Sequence, residues 1–312
     1  MSPARPGRQP AKKKSAYQPP PNSRAAAAAR GTAASSGRAK PTRSRSSQRD
    51  APPSRAWAGK DDGLGGDQIE GRRAVLELLR AGSRPIQRVL VASGQDPAQA
   101  LDDIEAMAQA QRIPLELVSK GRLESIARTD THQGVLALAR AVQPVELDEL
   151  IEGHPGVAPF LLVAAGITDP RNLGALLRSA ECAGVTGVVL PRHRTARLSP
   201  SVAKTAAGAI EHLPFATVPG IPAGLERLSK AGVLTIGLAG EAKRSIFDLD
   251  LSSVPVALVL GEEEKGLAPL VRKRCDELVA IPQFGDVESL NVSVAGAVAF
   301  YEVARQRLAA SR

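Results

Sequence analysis

Apolar and polar positions along the chain fall into two stretches of alternating strand and helix patterns. In the first, Val75, Leu76, Leu78 and Leu79 make one apolar side of a helix within GGDQIEGRRAVLELLRAG. A small-residue linker leads into it and Gly82 is its natural stop. IQRVLVAS (86–93) is rich in branched residues and predicts a strand. Residues 97–112 place Leu101, Ile104 and Ala108 on one helical face. IPLELVS predicts a second strand, RLESIAR a short helix, and THQGVLALAR (131–140) ends in a third strand. The result is an αβαβαβ unit.

The second stretch opens with PFLLVAAG (159–166), apolar at every strand position, as in a strand buried on both faces. A helix over PRNLGALLRSAECAG, a strand over VTGVVLP and a helix over PSVAKTAAGAI follow. LPFATV, GVLTIGLAG, VPVALVLG and ELVAIP predict strands, with PAGLERLSKAG, GLAPLVRKRCD and the final stretch after Asn291 as helices. Strands alternating with helices predict an α/β fold with a mainly parallel sheet. Residues 143–158 read as a linker carrying one short helix. Ligands of such sheets sit outside the carboxyl ends of the strands. Those ends carry GITDPRNLG, LAGEAK, LGEEEKG and IPQFGDVESLN, four loops that could share one pocket. The last holds Glu288, Ser289 and Asn291, with Ser293 just beyond. That is more hydrogen-bonding groups than one helix start needs.

Charge divides the chain differently. Residues 1–60 hold 14 Lys and Arg and one acidic residue, Asp50; the remaining residues carry a net charge of −4. The formal +9 of the 312-residue chain therefore belongs to its N-terminal tail. That tail, rich in Pro, Ala, Ser, Arg and Lys, buries too little apolar surface to offset chain entropy, so residues 1–66 predict a disordered basic segment. It serves either as a solubilising extension or as an electrostatic arm for RNA.

Several chemistries find no support. No P-loop, no GxGxxG between a first strand and helix, and no GxSxG elbow occurs. Cys182 and Cys275 are isolated, and His132, His154, His193 and His212 lack metal-ligand spacing. GEEEKG reads as a solvated turn, with Glu262 and Glu264 in water. No charge-free run of about 18 apolar residues exists, so no membrane partner and a reduced, cytoplasmic compartment are expected.

Three long segments, ITDPRNLGALLRSAECAGVTGVVLP, ALVLGEEEKGL and IPQFGDVESLNVSVAGAVAFYEVARQR, resemble in order and spacing the motifs of the SpoU (TrmH-like) family of RNA ribose 2′-O-methyltransferases. Residues 67–142, ending near THQGVLAL, resemble the L30e-like substrate-binding domain of its rRNA-modifying members. The layout is most like members acting on a guanosine ribose of 23S rRNA. Methylation of tRNA, or RNA binding without catalysis, are the alternatives. The resemblance implies a trefoil-knotted SPOUT methyltransferase domain over 159–312, S-adenosyl-L-methionine as cofactor, and a homodimer whose active sites draw on both subunits.

It also implies roles. Arg178, pointing away from the stripe Leu173, Leu176, Leu177 and Ala180, would contact the RNA phosphate and the attacking hydroxyl. Without the resemblance it is a solvated arginine, with Glu181 one turn on as its ion-pair partner. Asn172 would be a helix cap, an active-site contact, or both. Glu263 takes the family's acidic position. Backbone at Gly261, Ile281 and Leu290 would hold the cofactor, with Leu238, Ala239 and Gly240 adding to the same wall. Ser289 and Asn291 would face the methyl-transfer centre while Ser293 finishes the helix start beside the cofactor. Val294, Val298 and Tyr301 would pack on the sheet or on a partner subunit. Ala165 departs from the family, whose members commonly carry Asp there.

Overall fold

The computed structural model describes residues 63–153, 155–193, 196–286 and 289–311. The tail through residue 62, His154 and Glu288 lie outside the described residues.

A first, four-stranded sheet is built by β1 (Gln68–Glu70), β2 (Ile86–Ala92), β3 (Leu115–Val118) and β4 (Val135–Ala139) in the order β1-β4-β2-β3. Helices α1 (Arg72–Ala81), α2 (Gln99–Ala110) and α3 (Lys120–Ile126) connect the strands. β2 and β3 are parallel, while β4 runs antiparallel to both β1 and β2. Strand β1 is an addition to the expected αβαβαβ order. Its three residues carry one apolar side chain, too short a pattern to read, yet all three are buried. Pairing with Leu136–Leu138 supplies the backbone partners. The buried Glu70 carboxylate accepts from Gln68 Nε2, Arg128 N and Thr129 N. A carboxylate this deep persists only when hydrogen-bonded in this way.

The second sheet is parallel throughout, in the order β7-β6-β5-β10-β8-β11-β9. Its strands are β5 (Phe160–Ala164), β6 (Gly187–Pro191), β7 (Phe215–Val218), β8 (Leu234–Leu238), β9 (Arg244–Ser245), β10 (Val256–Leu260) and β11 (Glu277–Ala280). The two-residue β9 was not predicted. One face packs on α5 (Pro170–Cys182), α6 (Pro200–Thr205) and α9 (Val292–Ala310). The other packs on α4 (Leu147–Glu152), α7 (Ile221–Lys230) and α8 (Pro269–Arg274). Both faces of β5, β6 and β10 are therefore dry, which is why those strands read as unbroken apolar runs.

Three expectations change at this level. The helix predicted over 200–210 stops at Thr205 and resumes as a 3-10 turn, Ala209–Glu211. Left-handed backbone at Ala207 (φ 52°) and Gly208 (φ 97°) breaks it. Residues 63–66, expected within the disordered tail, are held: Leu64 N donates to Val142 O at 2.9 Å and Gly66 N to Leu198 O at 2.6 Å. The segment read as a linker is likewise engaged, with Val145 bridging Ala216 beside β7.

Helix α9 is about 28 Å long for its 19 residues and packs on α5 and on β10. Gly296 lets it seat against Leu176 and Leu260, and Phe300 meets Phe160 edge-on at 6.1 Å. Near its far end Arg307 donates to the carbonyls of Ala158, Pro159 and Val254. Burial holds that guanidinium below its ordinary pKa. Gly296, Ala299, Phe300 and Val303 are the buried face. Val294 and Tyr301, expected to pack on the sheet or on a partner subunit, do not pack on the sheet: they are half exposed on the other side, with Leu308.

Candidate active site

The loops after β8, β10 and β11 and the first turn of α9 converge on one pocket at the carboxyl ends of the strands. Leu238, Ala239 and Gly240 form one wall, Gly261, Glu262 and Glu263 a second, Ile281 and Gln283 a third, and Ser289 and Leu290 close it. The loop after β5, expected to share this pocket, lies outside its lining. It lies against that lining instead, with Ala165 N donating to Leu260 O at 2.7 Å and Gly166 close to Glu262, and Asn172 of the helix that follows reaches Glu263.

Asn172 Nδ2 donates to Glu263 Oε1 at 2.9 Å, and Asn291 Nδ2 donates to Asn172 Oδ1 at 3.0 Å. Asn291 Oδ1 in turn accepts from Ser293 N at 2.9 Å and Ser293 Oγ at 2.6 Å. This array has a direction. An ionised carboxylate can only accept and a helix N–H can only donate, so each amide between them has one workable orientation. Three loops far apart in sequence are tied by it.

The array redistributes the expected roles. Asp169, not Asn172, caps α5, its carboxylate accepting from Arg171 N at 2.9 Å. That frees Asn172, two residues into the helix, for Glu263 and Asn291. Asn291 is both the cap of α9 and a member of the array. Ser293 is used in the cap and lies outside the pocket lining. Glu262 is not simply solvated: it lines the pocket and pairs with Lys265 at 3.5 Å. A Cβ on Gly261 would collide with the Gly266 carbonyl, so the glycine is required by its own turn before any ligand is considered.

Arg178 is exposed on α5, outside the lining of this pocket. Six residues beyond Asn172, it lies about 9 Å further along the axis. It makes no hydrogen bond or ion pair among the described residues, and the expected pair with Glu181 does not form. Burial raises the Cys182 thiol pKa, with Glu181 adding to the rise, and Arg178 and Arg73 pull the other way. Two guanidiniums, one from α5 and one from α1, thus stand near one thiol. The second residue, Arg73, lines a cleft with Arg72, Arg80, Gln95 and Gln133 that sequence reasoning missed. Arginines on a short helix give no signal of their own; the cleft exists only where α1 meets the loops holding Gln95 and Gln133.

Comparison with known proteins agrees with this geometry. Residues 159–301 match the SpoU rRNA Methylase family, and residues 68–145 match the family described as RNA 2′-O ribose methyltransferase substrate binding. The chain is 42% identical over 238 residues to the 23S rRNA (guanosine-2′-O-)-methyltransferase RlmB of Ralstonia nicotianae, covering 76% of this chain and 94% of that protein. A crystal structure of an RNA 2′-O ribose methyltransferase superposes with a TM-score of 0.64 at 30% identity, over 77% of this chain and 88% of the other. AviRb from Streptomyces viridochromogenes, a SpoU methyltransferase solved with AdoMet, shares the fold. Its TM-score is 0.64 at 23% identity, over 78% of this chain and 90% of that one.

Proposed function

The chain belongs to the SpoU rRNA methylase family, and from that premise we propose that it transfers a methyl group from S-adenosyl-L-methionine to the ribose 2′-hydroxyl of a guanosine in 23S rRNA. The observation that carries the reading is the oriented Glu263–Asn172–Asn291 array at the mouth of a pocket built from three strand ends.

The pocket suits the cofactor. Leu238, Ile281 and Leu290 offer apolar surface for a purine, and backbone at Gly240 and Gly261 is reachable. The charged side chains in the lining are two carboxylates, Glu262 and Glu263, which favour the positive charge of a sulfonium. Bound there, the cofactor supplies an electrophilic methyl. The protein's task is to hold the ribose oxygen in line with it and to help the hydroxyl proton leave. Glu263 Oε1 is engaged by Asn172, and no hydrogen bond among the described residues engages Oε2, which can accept from a hydroxyl. Ser289 adds a second polar group beside it. A guanidinium is a poor base, so the role of Arg178 is to orient a phosphate and stabilise a forming alkoxide.

Arg178 stands apart from the pocket of its own chain, and α9 leaves Val294, Tyr301 and Leu308 uncovered. Both features support a homodimer in which α9 faces a second copy and each active site takes Arg178 from across the interface. The same reading includes the knotted arrangement of the 159–312 domain, the L30e-like character of 67–142, and a cytoplasmic location. Among the described residues no helix is long and apolar enough to cross a membrane.

The test is methyl incorporation from labelled S-adenosylmethionine into unmodified 23S rRNA and, in parallel, bulk tRNA, with the ribose mapped. One 2′-O-methylated guanosine in 23S rRNA is the expected result. Label confined to tRNA, or absent from both, overturns it.

A further inference from the structure

We propose that Arg84 and Glu211 form a lock that fixes the four-stranded substrate-binding sheet in one orientation relative to the methyl-transfer site, making Arg84 and Glu211 positioning residues for RNA. The inference rests on the reading above for what is positioned, and on geometry alone for the lock.

Arg84 lies in the turn between α1 and β2; Glu211 ends the 3-10 turn after α6. Their side chains are 9% and 3% exposed. The guanidinium donates through Nε to Glu211 Oε2 at 2.8 Å and through Nη2 to Oε1 at 2.7 Å. Its Nη1 donates to Gly66 O at 2.5 Å and to Arg140 O. Gly66 leads into the first sheet and Arg140 leads out of it. One side chain therefore binds both backbone segments that tether the sheet and the domain it stands on.

The forked pair matters for geometry more than for net stability. Desolvation offsets much of the attraction of a buried ion pair. An alternative docking that buried either partner alone would leave an uncompensated charge, so the seam closes in one arrangement. The contacts beside it agree. Glu77 of α1 lies against Gly208, where a Cβ would collide with it, and meets His212 Nε2 at 3.5 Å. Lys204 of α6 donates to Thr131 O at 2.6 Å.

The seam continues directly into the site. Helix α6 packs on α5 so closely that a Cβ on Gly174 would stand 2.6 Å from Thr205 Cβ and 2.9 Å from Val202 O. Helix α5 carries Asn172 and Arg178. RNA phosphates held by the cleft of Arg72 and Arg73 would then lie at a fixed place relative to α5. Two surfaces gripping one RNA act together only while their spacing matches it. If the docked orientation is populated only part of the time, apparent affinity falls by that fraction.

The experiment uses the full chain as wild type, Glu211→Ala, Glu211→Gln and Arg84→Lys. Calorimetry gives S-adenosylmethionine affinity, steady-state kinetics give kcat and KM for 23S rRNA, and small-angle scattering gives the spread of domain orientations. Glu211→Ala should raise KM for RNA about tenfold, with kcat and cofactor affinity within about twofold and a broader scattering profile. Glu211→Gln, which keeps the shape and one acceptor, should fall between. Arg84→Lys keeps the charge but loses the fork, so it should follow Glu211→Ala and carries the comparison if that variant does not fold. Unchanged KM and scattering overturn the proposal. Parallel loss of cofactor affinity and RNA affinity also overturns it, reducing the pair to a structural role. A wild type that methylates no RNA overturns the reading beneath it instead, while the scattering still reports on the lock.

Discussion

The Glu263–Asn172–Asn291 array at the strand ends and the Arg84–Glu211 pair in the seam are both side-chain networks joining loops remote in sequence. One is made of neutral amides around a carboxylate and is open to solvent. The other is a full ion pair closed from it. Amides can be held in place at a surface without a strong charge to compete with an incoming ligand, and acceptor capacity remains for that ligand. A buried fork has every partner filled, so it can take no ligand and can only define position. The open network is where chemistry can occur; the closed one determines where the substrate is held when it does.

The largest effect should come from the open side. Arg178→Ala should cut methyl transfer by roughly 10²–10³-fold, with cofactor affinity and oligomeric state near wild type. Single-turnover label transfer at saturating cofactor checks this; near-normal turnover would remove Arg178 from the mechanism. Asn291→Ala breaks the array and the α9 cap together. Turnover should fall about tenfold or more, and stability by about 1 kcal/mol from the lost cap, read by thermal denaturation. Asn291→Asp keeps the cap acceptor but cannot donate to Asn172, so it should restore stability without restoring turnover. Recovery of both would mean that only the cap matters.

On the closed side, Lys204 tests how much of the seam is exposed decoration. Lys204→Met removes its hydrogen bond to Thr131 and should change stability by about 0.5 kcal/mol or less, with RNA kinetics unchanged. A KM shift as large as that expected for Glu211→Ala would show that no single pair dominates the seam. The smallest effect is one of pH. Hydrogen bonding from Arg305, with Gln306 adding to it, holds the Glu302 carboxyl below its ordinary pKa. Because the folded value is the lower, this stabilisation is complete above the ordinary glutamate value of about 4.3. It fades as pH falls through the lowered one. Glu302→Gln should flatten the fall in thermal stability below about pH 4.3, because the variant lacks at neutral pH the stabilisation that the wild type loses only in acid.

Much of this is legible in the sequence alone. The alternation of strands and helices was readable because burying one face of a helix or both faces of a parallel strand leaves a local period in the sequence. Gly261, Glu263, Ser289 and Leu290 could be assigned to one pocket because strand ends in such sheets gather their loops. The errors share a cause. Strand β1 has no pattern of its own and exists by pairing with β4. Asn172 looked like a cap until Asp169 took that place. Ser293 gives both of its donors to Asn291, a pairing that no spacing in the sequence marks.

By itself, then, the sequence determined the α/β class, the loops that meet and the residue types they bring, since each depends on neighbours within a turn or a strand. Tertiary structure alone decided which of those residues hold one another. Asn172 finds Glu263 across 91 positions and Asn291 across 119, and Arg84 finds Glu211 across 127. Partners that remote are set by how helices and sheets pack, and no local pattern of side chains records them.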